Sequence, residues 1–320
     1  MEGFMKKYRI ELLVAMGLAV LLFLVVFINN RIDRLEKRMD MENNPGMPPG
    51  TMAEEDGPIT AISYDLPRQL SFAGEPVPLD RSDLREQIDQ ELQINIYFHS
   101  NTIFLIKRAN EWLPQFEPIL KQNGIPDDFK YLPLIESGLL NVVSPSNAVG
   151  FWQIVKSAGK ENGLEITREV DQRYDPIKAA EAACRYFKKA YEKFGNWTLV
   201  AASYNRGMSG LDRAIKKQKV ASYYDLFLNE ETSRYVFRIL AIKEIIENPG
   251  RYGFKISPKH LYKQDSMRYV QVAATVPDLV EFALDHGSNY KLLKRYNPWL
   301  RDDRLTVKRD ETYTIALPAI

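Results

Sequence analysis

The chain has 320 residues, 45% hydrophobic and 27% charged, which is enough apolar material for one or two domains with real cores. Lys and Arg number 43 against 42 Asp and Glu, a net charge of +1, which excludes a partner recruited by bulk charge, nucleic acid first among them. A single cysteine, Cys184, excludes an intrachain disulfide, and three scattered histidines, His99, His260 and His286, offer no pair at ligand spacing; neither a metal nor a cofactor is expected.

Residues 12–28, LLVAMGLAVLLFLVVFI, carry no charge. A helix rises 1.5 Å per residue, so this run just spans a bilayer core. Lys6, Lys7 and Arg9 precede it, and no small-x-small cleavage pattern follows. Residues 1–30 are therefore expected to form an uncleaved membrane anchor, with a cleaved signal peptide as the alternative. Basic residues flank both sides, so charge does not orient the span. Residues 31–81 read as a flexible linker, rich in Pro, Gly and acids at NNPGMPPGTMAEEDGP, and no strand is expected there.

The pattern over 82–255 is helical. SDLREQIDQELQINIYF opens on a Ser-Asp cap signal, and NTIFLIKRANEWLPQFEPILKQ stops at Gly124. Asp127 and Asp128 suit the start of the next helix, which carries Pro133 and leads to Glu136. The clearest helix is DPIKAAEAACRYFKKAYEKFG, with Asp175 at N-cap, Pro176 at N1 and Gly195 at the stop. NWTLVAASYNRG and ETSRYVFRILAIKEIIEN follow, again helical. From about 265 the texture changes: MRYVQVAAT and DETYTIALP read as strands, with PDLVEFALDHG and NYKLLKRYN as short helices between them. The expected fold class is mainly α, with a small βααβ unit over 265–320. Strand and helix do not alternate as a parallel sheet requires.

One acid stands out. Glu136 sits among Leu134, Ile135, Leu139 and Leu140. Desolvation disfavours a carboxylate and raises its pKa, which is what a general acid or base near neutrality needs. The other reading is an amphipathic helix with one solvated Glu.

Six short motifs stand in order along the chain: Glu136-Ser137, Ser144, Gly150-Phe151-Trp152-Gln153-Ile154, VDQRYDP at 170–176, SYNRG at 203–207 and ETSRYV at 231–236. Over about 92–250 this set resembles the lytic transglycosylase family, the SLT domain. The resemblance implies a lysozyme-like α-helical catalytic domain that cleaves peptidoglycan between N-acetylmuramic acid and N-acetylglucosamine and leaves a 1,6-anhydro end. It implies Glu136 as the sole acid, then base. It implies a sugar groove formed with Ser137, Ser144, Gly150, Phe151, Trp152, Gln153, Tyr204, Asn205, Glu231 and Tyr235. Phe151 and Trp152 also read as ordinary core residues, and Tyr204-Asn205 as a helix C-cap. Asn147 and Arg206 depart from the family, where glycine and a small residue are common. Asp171, Arg173 and Asp175 read as structural, and Cys184 as a small buried hydrophobe.

Residues 269–318 resemble a degenerate LysM module, through YVQV, DLVEFALDHG, LLKRYNPWL and YTIALP; AATVPD stands where the usual Gly-Asp-Thr turn falls. Glycan binding and simple packing on the catalytic domain both remain open for this unit. Together the resemblances imply glycan strands as substrate, no cofactor, no nucleic acid, and a bacterial envelope location, anchored by the N-terminal helix and facing the periplasm. They identify no protein partner. A lysozyme-like hydrolase with a second carboxylate and a catalytically silent wall-binding module are the alternatives.

Overall fold

The computed structural model describes residues 62–319. The helix expected at 12–28 and most of the expected linker lie outside the described residues. Among those described, no helix is long and apolar enough to cross a membrane.

The described chain opens on a hairpin that the sequence reading did not anticipate. Strands β1 (Ser71–Phe72) and β2 (Glu75–Pro76) pair antiparallel. Ala73 and Gly74 between them have φ of 54° and 80°, the left-handed pair that a tight two-residue hairpin turn requires. Phe72 is fully buried and meets the Phe129 ring at 5.1 Å. The linker expected to run to residue 81 is therefore already docked over 63–81, because Leu66, Leu70, Phe72, Val77 and Leu79 pack on the helical core.

Eight helices follow in the described domain: α1 (Ser82–Tyr97), α2 (His99–Gln122), α3 (Leu132–Ser137), α4 (Lys156–Glu161), α5 (Pro176–Phe194), α6 (Trp197–Arg206), α7 (Met208–Gln218) and α8 (Glu230–Glu247). The caps read on α5 are in place. Asp175 Oδ1 accepts from the N–H groups of Ile177 and Lys178 at 2.9 and 3.1 Å, and Gly195 ends the helix at φ 64°. Alanines at 179, 180, 182 and 183 are buried, and such small side chains let neighbouring helices close in. Cys184 is buried beside them, and burial pushes its thiol up to about 12. Helix α8 runs through the core, with Val236, Phe237, Leu240 and Ala241 at 0–1% exposure. Helix α1 lies against it, and Glu91, almost fully buried, meets Arg234 at 2.5 Å.

The hairpin also reaches α6. The Glu75 carboxylate accepts from Trp197 N at 2.6 Å, Thr198 N at 2.8 Å and Thr198 Oγ1 at 2.6 Å, satisfying N–H groups that no helical carbonyl can reach. Asn196 caps Leu199 N at 2.9 Å. Glu75→Ala should lower stability by about 1–2 kcal/mol, the usual cost of a lost cap, read as a fall in the urea midpoint at unchanged slope.

The C-terminal unit is βααβ, as read from sequence: β3 (Met267–Val272), α9 (Leu279–Asp285), α10 (Tyr290–Tyr296) and β4 (Tyr313–Pro318). The strands pair antiparallel from Met267↔Pro318 to Val272↔Tyr313. Leu279, Ala283, Leu293, Leu300, Ile315 and Leu317 form its own fully buried core, which Val170 of the helical domain enters. Backbone bonds contribute to the join, Asp171 N donating to Trp299 O at 2.9 Å and Arg301 N to Glu169 O at 2.7 Å, and side chains add to it, Thr306 Oγ1 donating to Glu169 Oε1 at 3.1 Å and Tyr313 Oη to Glu165 Oε1 at 3.0 Å.

Candidate active site

Glu136 lies in the last turn of α3. The helix stops at Gly138, φ 62°, and Leu139 follows at φ 58°. A Cβ on Gly138 would stand 3.3 Å from Leu105 Cδ2, which a shift of the leucine tip by a few tenths of an ångström relieves, so it is the left-handed backbone that calls for glycine. The two left-handed residues turn the chain away at once, and the acid stays at a surface opening.

That opening has two sides. On one is a groove of about 680 Å³, lined by Ser144, Gln153, Tyr204, Asn205 and Glu231 among others. On the other is a smaller pocket of about 280 Å³, with Asn101, Arg108 and Ser137. Ile135, Glu136 and Arg238 line both, so the carboxylate stands at the divide.

The acid is held by α8. Tyr235 Oη donates to Glu136 Oε1, and Arg238 Nη2 donates to the Ile135 carbonyl at 2.9 Å. The residue keeps a partial opening to the groove, yet protein crowds its carboxylate. Burial pushes the Glu136 carboxyl up to about 7; the Tyr235 hydroxyl and the Arg238 charge pull the other way, and Glu231 adds a push upward. The same burial, with Glu136 nearby, holds the Tyr204 and Tyr235 hydroxyls well above their ordinary range. Both therefore act as hydrogen-bond donors at neutral pH.

A loop over 141–155 forms one wall, and side chains from elsewhere hold its carbonyls. Ser137 Oγ donates to Phe151 O at 2.8 Å and Tyr204 Oη to Trp152 O at 2.6 Å. Arg173 Nη1 reaches Asn147 O at 3.2 Å and Ile154 O at 3.3 Å, while its other nitrogens pair with the buried Asp171. Asn147 sits at φ 59°, a conformation that suits the family's glycine and that Asn tolerates. Gln153, at φ 47°, bonds Gly150 O through Nε2 at 2.8 Å.

Three expectations change here. Phe151 is 5% exposed and Trp152 fully buried; their rings pack on Trp112 and Phe116 at 4.8 and 5.3 Å, so they face the core and do not line the groove. Gly150 does not line it either. Its φ of 81° and the Arg173 carbonyl, which a Cβ would meet at 2.0 Å, give it a packing role. Nor does Tyr235 line either opening: it is 1% exposed and reaches only the Glu136 carboxylate. Of the two readings of Asn205 the groove is the one that fits, since α6 continues to Arg206 and Gly207 at φ 78° ends it, while Asn205 lines the groove, its Nδ2 donating to Glu231 Oε1 at 2.8 Å and its Oδ1 accepting from Thr232 Oγ1 at 2.8 Å.

The sequence reading missed Arg238, Arg108 and Tyr186, the last of which lines the larger groove. Arg238 carries a signal: Glu231, Tyr235 and Arg238 stand at i, i+4 and i+7, one face of α8. Arg108 and Tyr186 carry none. The departing Arg206 lines the groove and bonds Asn229 Oδ1. Of the acids in the larger groove only Glu136 and Glu231 are present; Asp171 and Asp175 are spent on the ion pair and the cap.

Residues 116–227 match the Transglycosylase SLT domain, and residues 268–320 match the Soluble lytic transglycosylase C-terminal LysM-like domain. Two curated relatives, each called Membrane-bound lytic murein transglycosylase D, come from Escherichia coli strain K12 and Escherichia coli O6:H1. Each is 28% identical over 261 residues, covering 78% of this chain and 55% of the relative. The chain thus spans about half the length of the curated relatives it matches. The chain is thus similar to lytic transglycosylases in two places: a mainly helical region over 116–227 that matches their SLT domain, and a C-terminal unit over 268–320 that matches their LysM-like domain.

Proposed function

We propose that the protein is a peptidoglycan lytic transglycosylase in which Glu136 acts first as acid and then as base. One observation carries this reading: a single crowded carboxyl, pushed up to about 7, stands at the divide between two sugar-sized openings. Near neutrality a large fraction of molecules hold the Glu136 proton. A glycan strand laid through both openings presents a glycosidic bond there. The protonated Glu136 gives its proton to the bridging oxygen as the C1–O bond breaks. The carboxylate left behind takes the proton of the muramoyl C6 hydroxyl, and that oxygen bonds C1. Glu136 ends protonated, no water is consumed, and the product carries a 1,6-anhydro ring. An attacking hydroxyl on the same sugar has a high effective concentration, which is why the site needs no second acid.

The roles of the other side chains follow within this reading. Tyr235 orients the carboxylate and Tyr204 fixes the wall at Trp152. Ser144, Gln153, Asn205 and Glu231 meet the sugar on the larger side, Ser137 on the smaller. Arg108 and Arg238 supply positive charge where the lactyl or peptide carboxylates of the substrate would lie. The murein named for the relatives supports an envelope location, anchored by the apolar run at 12–28 and facing the periplasm.

Glu231 supports a second reading, a hydrolase that uses it to activate water, since ordinary glycosidases pair two carboxylates. Mass spectrometry of muropeptides released from purified sacculi decides. Anhydro ends are expected; reducing ends, one water heavier, would establish hydrolysis, and no product at all would leave only a wall-binding module. Tyr235→Phe gives a finer check. Its hydroxyl favours the ionised form of Glu136, so its loss should move the pH at which activity is half lost upward by about one unit. An unmoved profile would mean that Tyr235 does not act on the acid.

A further inference from the structure

Arg206 lines the larger groove, yet the proposed reaction gives it no part. It stands where a small residue is common in the family, so the groove carries here a charge that a small residue would not supply. Arg206 is the last residue of α6, and Gly207 at φ 78° turns the chain straight into α7. The arginine therefore sits on an exposed corner at the lip of the groove.

Two contacts hold the side chain there. A Cβ on Gly210 would stand 3.2 Å from Arg206 Cγ and 3.8 Å from its Nε, so the arginine stem lies along the first turn of α7 at that glycine. Its Nη1 donates to Asn229 Oδ1, just ahead of α8, and Asn229 Oδ1 also accepts from Thr232 Oγ1 at 2.8 Å. The partner of the guanidinium is thus a neutral amide. Glu231, on the same wall, is held instead by Asn205 Nδ2 at 2.8 Å, and Arg234 is the arginine that pairs with Glu230 and Glu91. Among the described residues no carboxylate is ion-paired with Arg206, so its charge stays unmatched at the groove.

A guanidinium held through one nitrogen still presents the rest of its planar fork, which matches a carboxylate. Because the stem is already laid down, little rotamer freedom is lost when an anion arrives. Arg206 and Glu136 line one groove, so a strand cut at the acid runs past the arginine. The sugars of such a strand offer it only hydroxyls and acetamides. The carboxylates belong to the peptides that the lactyl groups carry. We propose that Arg206 is a specificity-determining residue that binds a carboxylate of the strand's peptide and so selects strands with charged peptides over strands with neutral ones. The identity of the strand rests on the function proposed above; the unmatched charge at the groove rests on the geometry.

The test uses the full chain carrying Glu136→Gln, so that binding is read without turnover. The probes are soluble peptide-bearing glycan strands in two forms, one with its peptide carboxylates intact and one with them converted to carboxamides by carbodiimide and excess ammonia. Arg206→Ala should weaken binding to the intact strands about fivefold, the upper end for an exposed ion pair. It should change binding to the carboxamide strands by less than about twofold. Arg213→Ala is the control for net charge: Arg213 is exposed on α7 and lines neither opening beside Glu136. An equal loss on both strand forms would overturn the proposal and assign Arg206 to holding the corner between α6 and α7. No loss on either form would overturn it too, as would an equal loss in Arg213→Ala. Wild-type protein that releases no anhydro ends from the intact strands would instead sink the catalytic reading and leave the difference in binding standing.

Discussion

Glu136→Gln should cut muropeptide release from purified sacculi by at least about 10³-fold, because it removes both an acid and a base step, each commonly worth 10² or more. The same variant should be more stable than wild type, and only at higher pH. Below about 4.5 the carboxyl is protonated folded and unfolded alike. Between about 4.5 and about 7 the unfolded chain has released the proton while the folded chain keeps it. Wild-type stability therefore falls as pH rises through that window and stays reduced above it. Gln carries no such penalty. Its advantage should be near zero at pH 4 and reach about 2 kcal/mol at pH 8, a figure moderated by the partial opening to solvent. Equal melting differences at the two pH values would show that the folded protein does not hold this carboxyl protonated.

Gly150→Ala should be the most damaging change of one methyl group. The position has φ 81°, and the new carbon would sit 2.0 Å from the Arg173 carbonyl, which is backbone and cannot swing aside. We expect a loss of about 3 kcal/mol or more, and a fall in turnover of about 10²-fold as the wall that Ser137, Tyr204 and Arg173 hold is displaced. Gly124→Ala separates the two causes. It shares the left-handed backbone, at φ 67°, with open space around it, and should cost only about 1 kcal/mol. Equal urea midpoints for the two variants would show that the contact with residue 173 is not what constrains the loop.

Those residues also mark how far sequence reasoning reached. Features of local origin were legible: the caps of α5, the strand–helix–helix–strand order of the C-terminal unit, and the burial of an acid set among Leu134, Ile135, Leu139 and Leu140. The side on which a loop residue points was not. A loop has no period, and over 150–153 the two left-handed residues Gly150 and Gln153 turn the rings of Phe151 and Trp152 into the core while Gln153 stays at the groove. The order of letters is compatible with either outcome. The hairpin at 71–76 escaped because two-residue strands cannot show alternation, and Glu75 escaped because the helix it caps begins more than a hundred residues later. Arg238 was within reach of helical periodicity, since it shares a face with Glu231 and Tyr235. The C-terminal strands and the acid were found by pattern; the donors that tune the acid come from a helix that only tertiary packing brings to it.

The dependence of Glu136 on α8 bears on how such a protein can be inherited. The match to the SLT domain itself ends at 227, before Glu231, Tyr235 and Arg238, and it begins after α1, which braces α8 through Glu91 and Arg234. Recombination that moved only the recognisable cassette would transplant the acid and leave behind the hydroxyl and guanidinium that set its protonation. The unit that must be copied whole is the wider one, from the hairpin through α8, in keeping with the 261 residues over which the two relatives align.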